Sequence, residues 1–83
     1  MDSLYLSKHL RISHEEILNL IKYFDNFIDH PIANSHIKEQ LEGKSFFYNN
    51  ISTAFVMGIC MKLDLIEMFD PLVMNYEHSL LVS

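Results

Sequence analysis

Several side chains in this sequence do chemistry in other proteins, and their spacing decides whether they can do it here. Ser13, His14 and Glu15 set an alcohol, an imidazole and a carboxylate side by side, the three groups of an acyl-transfer triad. Consecutive residues at a helix start point in different directions, so the trio cannot converge on one bond. Cys60 is the single cysteine and lies in the apolar run Phe55-Val56-Met57-Gly58-Ile59-Cys60-Met61. Apolar surroundings raise a thiol's pKa and quiet it as a nucleophile, and one cysteine closes no internal disulfide. Five histidines, His9, His14, His30, His36 and His78, have no second ligand at zinc spacing, so neither a metal nor another cofactor is expected. The sequence also lacks a phosphate-cradling glycine loop, a nucleophile elbow and a carboxylate pair tied to a base. It reads as a non-enzyme.

What remains is contact chemistry, of two kinds. Lys8, Arg11, His14, Asn19 and Lys22 are the residues of the N-terminal part suited to touch nucleic acid. Against them stands a net charge of −5, from six basic and eleven acidic residues. DNA binders take most of their affinity from Lys and Arg displacing phosphate counterions, so this balance disfavours DNA. The second set is Met68, Leu72, Val73, Tyr76, Leu80 and Leu81, a partner or self-association surface on a C-terminal amphipathic helix. Asp64, Glu67, Asp70 and Glu77 would form its acidic rim, suited to a basic target such as a protein whose own site binds nucleic acid. Met57, Met61, Met68 and Met74 add adaptable apolar side chains of the sort found in binding grooves.

Composition sets the frame for both. With 83 residues there is room for one domain, 1–83, because a second core would bury too little surface to offset its chain entropy. An apolar content of 49%, with only two Gly and two Pro, indicates a globular and mostly helical chain. So small a body cannot hide all of that apolar surface, which favours a homodimer or a protein partner. No signal-peptide pattern opens the sequence and no apolar stretch reaches membrane-spanning length, so the expected setting is a reducing cytoplasm, with no membrane contact.

The elements follow from caps and periodicity. Residues 4–10 form a first helix capped by Asp2 or Ser3. Ser13-His14-Glu15-Glu16 is a capping box opening a second, whose stripe is Ile17, Leu20, Ile21, Phe24, Phe27 and Ile28. Asp29-His30-Pro31 ends it. Residues 31–49 are read as a short third helix, about 35–42 with Gly43 closing it, and a connector with one extended segment or hairpin around 45–49. From about 50 or 52 to 63 runs an apolar core helix in which Gly58 implies close packing. Asp64 with Glu67, and then Asp70-Pro71, mark further helix starts. The expected fold is mainly α, a small bundle of four to five helices with a helix-turn-helix over 1–28 and the core and C-terminal helices over 50–83.

One order of residues resembles a known family. Ser3, then Leu6 and Ser7, then His14 followed by Ile17, Leu18 and Ile21, is similar to the opening of the phage Rha family of regulatory proteins. Tyr48 followed by Phe55-Val56-Met57-Gly58 is similar to that family's tyrosine strand and Leu-Val-Met-Gly helix. The family usually has a basic residue before the His and an Arg after the aliphatic pair; here these are Ser13 and Asn19, and Glu15 and Glu16 front the would-be recognition helix. The resemblance implies a role in regulation during phage growth and interference with the host. Combined with the acidic balance, the expectation is a small phage-type regulator, cytoplasmic in a bacterial host, that binds and inhibits or redirects a host protein through protein–protein contact. The alternative is a dimeric helix-turn-helix DNA-binding transcriptional regulator.

Overall fold

The structure, a computed structural model, describes residues 1–26 and 28–82. Helix α1 spans Ser3–Leu10, and the Asp2 carboxylate accepts the Tyr5 N–H at 2.7 Å to cap it. Leu6 and Leu10, one turn apart, are both buried. The helix stops because Arg11 takes the left-handed conformation, φ 57°, so that the Ile12 N–H returns to the Ser7 carbonyl at 3.1 Å. Ser7 Oγ then donates to the Ile12 carbonyl at 2.6 Å, which fixes the turn from its other side. Glycine is the usual residue at such a turn, since a Cβ there is crowded. Arg11→Gly is therefore expected to raise the unfolding free energy by about 0.5–1 kcal/mol in a urea melt; a loss of stability would mean that the arginine side chain packs usefully.

Helix α2, His14–Asp25, begins with Ser13 Oγ accepting the Glu16 N–H at 3.2 Å, one half of the expected capping box. Ile17 and Ile21 are fully buried against α1, and Leu20 and Phe24 pack at the edge of the same core. Phe27, placed on this stripe by periodicity, lies outside the described residues.

The region after α2 corrects the expected all-helical bundle. Residues 35–42 form no helix; Ile37–Gln40 is strand β1, paired antiparallel with β2, Phe46–Asn49, in the register Ile37 to Asn49, Lys38 to Tyr48, Glu39 to Phe47 and Gln40 to Phe46. Four helices and a two-stranded sheet make the described chain a mainly helical α+β fold. Lys, Glu and Gln are good helix formers, but their intrinsic preference is small beside what the aromatic strand Phe46-Phe47-Tyr48 offers across the ladder. Gly43, at φ 69°, shapes the hairpin loop rather than closing a helix.

Helix α3, Thr53–Lys62, carries four buried residues, Phe55, Val56, Ile59 and Cys60, and is the centre of the core. Ser52 Oγ accepts the Phe55 N–H at 3.2 Å as its cap. Gly58 lets the Phe24 ring close in, for a Cβ there would sit 3.2 Å from Phe24 Cζ. Asp64 opens no capping box with Glu67: at φ 58° it closes α3, and the Leu65 N–H reaches the Cys60 carbonyl at 2.7 Å. A single 3-10 turn, Ile66–Met68, leads into α4, Phe69–Val82, anchored through Leu72. No helix among the described residues is long and apolar enough to cross a membrane.

Candidate interaction surfaces

The most constrained polar group is Ser3. Its side chain is fully buried, its Oγ accepts the Tyr48 N–H at 2.9 Å, and the same oxygen lies 2.9 Å from His14 Nε2. The serine hydroxyl and the imidazole thus share one hydrogen bond, whose donor follows the histidine tautomer. Alcohol on imidazole is also the geometry of an activated nucleophile. Here the oxygen is closed from solvent and already holds a backbone N–H, so its work is to clasp the start of α1 to the start of α2 and to β2. His14, placed by sequence among the nucleic-acid contacts, thus has its Nε2 engaged within the fold. Lys8, Arg11, Asn19 and Lys22 are exposed, and so are Glu15 and Glu16 at the front of α2.

A second polar knot escaped sequence reading. The His36 side chain is 6% exposed, with Nε2 3.0 Å from the Asp25 carboxylate and its ring 4.7 Å from Phe55 and 5.2 Å from Tyr48. Asp25 also accepts from Asn34 Nδ2 at 3.1 Å. These contacts pin the start of the hairpin to the end of α2. An isolated His between Ser35 and Ile37 gives no sign of such a role in sequence. Among the described residues no three His, Cys, Asp or Glu side chains converge as metal ligands. Cys60 is buried, and its thiol is pushed up first by burial and then by the Glu67 charge.

The six residues assigned to a partner surface divide. Leu72, 4% exposed, belongs to the core. Met68, Val73 and Tyr76 are half-buried, and the Tyr76 ring meets Tyr5 edge-on at 5.1 Å. Leu80 and Leu81 are exposed, at 60% and 85%. The stripe has one period along α4, but it is buried or half-buried only in its first half. Asp64, Glu67, Asp70 and Glu77 are all exposed. On α3, Met57 and Met61 are exposed one turn apart, and Met61 borders a shallow groove of about 290 Å³ with Tyr23, Phe24, Gly58 and Lys62.

The hairpin supplies a surface that sequence reading missed. The register puts Lys38, Gln40, Phe46 and Tyr48 on one face and Ile37, Glu39, Phe47 and Asn49 on the other. A cleft of about 490 Å³ is lined by Lys38, Gln40, Lys44, Ser45 and Phe46. Only the strand pairing reveals it, because Lys38 and Phe46 are unremarkable until placed side by side.

Comparison with known proteins returns no match: no family model, no curated protein and no solved structure matches the chain.

Proposed function

We propose that the chain is a small phage-type regulatory protein that binds a host protein in the bacterial cytoplasm and inhibits or redirects it by direct contact. The observation that carries this reading is the course of α4. Beyond Tyr76 the helix runs on for six described residues, 77–82, every one of them exposed and three of them, Leu80, Leu81 and Val82, apolar. Exposed apolar side chains grouped on one element mark a surface that gains by being covered. Met74, also exposed, lies two turns before Leu81 on the same helix. The carboxylates of Asp64, Glu67, Asp70 and Glu77 favour a basic partner and speed its approach. The ancestry rests on the Ser3, His14 and Tyr48 pattern shared with the Rha family.

The test uses tagged protein in a lysate of the host. Wild type recovers one partner at stoichiometric yield, and Leu81→Asp combined with Met74→Asp loses it while the far-UV circular dichroism stays unchanged. Recovery of the bait alone, or equal recovery by the variant, ends this reading.

Exposure of Lys8, Arg11, Asn19 and Lys22 on α1, its turn and α2 favours a second reading, a dimeric helix-turn-helix transcriptional regulator. It requires duplex binding that falls steeply with salt and weakens in Arg11→Ala with Lys22→Ala. Glu15 and Glu16 beside those cations oppose it.

A further inference from the structure

The hairpin cleft stands apart in charge from the rest of an acidic chain. Two cations, Lys38 and Lys44, line it together with the Ser45 hydroxyl, the Gln40 carboxamide and the Phe46 ring, and no carboxylate does. The nearby acids are placed elsewhere: Glu39 is on the opposite face, where Asn49 Nδ2 donates to it at 3.4 Å, and Glu42 sits in the loop outside the lining. The Lys38 ammonium rests 4.0 Å from the centre of the Phe46 ring, and the Tyr48 ring meets Phe46 edge-on at 5.6 Å, which steadies it. Gln40 Nε2 donates to the Gly43 carbonyl at 2.8 Å, so the loop that presents Lys44 and Ser45 is tied down.

An aromatic ring with a cation on its face and a second cation beside it suits a ligand that has a flat π-system and a negative charge on each side of it. A nucleotide within a single strand is such a ligand: its base stacks on the ring, and its two flanking phosphates take the ammonium groups. A duplex keeps its bases stacked inside and cannot offer one to Phe46. An acidic peptide offers a flat ring between its charges only where an aromatic residue stands there, whereas every nucleotide of a single strand does so. We propose that this hairpin face binds single-stranded nucleic acid: the Lys38 ammonium leaves the Phe46 ring for a phosphate, one base stacks on the ring in its place, and Lys44 holds the adjoining phosphate. The site is separate from α4 and from the helix-turn-helix, so it is an activity additional to the protein contact proposed above.

The test is fluorescence anisotropy of the full chain with a labelled oligothymidylate dodecamer at low salt. Wild type binds, and Phe46→Leu weakens binding about tenfold, the loss of one base–aromatic stack. Lys38→Gln with Lys44→Gln, both at exposed positions, weakens it to a similar degree and flattens the logarithmic salt slope by about 1.4, the value for two phosphates of a single strand. The lysine pair keeps the test decisive if Phe46→Leu disturbs the hairpin. Absence of binding, a salt slope unmoved by the lysine changes, or equal displacement by duplex DNA or polyglutamate overturns the proposal.

Discussion

Phe55→Ala is expected to lower the unfolding free energy by about 3–5 kcal/mol, the usual loss when a buried phenylalanine is truncated and leaves a cavity. Phe55 is fully buried on α3, with its ring 6.1 Å from Phe24 and 4.7 Å from His36, so the void opens where α2, α3 and the root of the hairpin meet. A chain of 83 residues has a total stability of about 4–12 kcal/mol, so at the lower end of that range the variant sits close to its unfolding midpoint without denaturant. Phe55→Leu, which keeps most of the volume, costs about 1 kcal/mol. Urea melts followed by circular dichroism separate the two. If Phe55→Ala cost no more than Phe55→Leu, the core would have a different centre.

Ser3→Ala carries the second largest effect. Removal of one oxygen strands the Tyr48 N–H and leaves His14 Nε2 without its internal partner. A buried donor stripped of its acceptor costs about 1–3 kcal/mol beyond what deleting both partners would, so a total loss of roughly 2–3 kcal/mol is expected. His14→Ala is milder, about 1 kcal/mol, because His14 is only half-buried and Ser3 keeps its bond to Tyr48. In the double variant the two losses fall short of their sum, since the serine and the imidazole share one contact. Strict additivity would show that the clasp does not form in solution.

Local signals in the sequence marked α1, α2, α3 and α4, but also a helix over 35–42 that does not form. Asp2, Ser13 and Ser52 each cap the helix that their type and position announce, and the spacing of Leu6, Leu10, Ile17 and Ile21 marks the faces that are buried. Gly58 signalled close packing without naming Phe24. Misreadings came where a distant residue decides. Ile37-Lys38-Glu39-Gln40 has helix-forming side chains and became a strand because Phe46-Phe47-Tyr48 lies alongside. The C-terminal stripe has a single period from Leu72 to Leu80, and nothing local tells where the core beneath it ends. Of the candidate surfaces, the apolar end of α4 was legible as composition. The Lys38–Phe46 cleft was not, because it depends on cross-strand register, which a sequence without a tight two-residue turn leaves open.

Among the described residues strand β1 has β2 on one side and no strand on the other, and all four of its residues are exposed, so its outer edge is a template for pairing with another copy of the chain. Two-fold symmetry turns that template against itself. An axis perpendicular to the sheet sets like residues opposite each other, Lys38 against Lys38 in one alignment and Glu39 against Glu39 in the next. Each alignment confronts like charges at its centre. Four residues thus form a strand whose outer edge sets like charges against any copy that pairs with it across a two-fold axis.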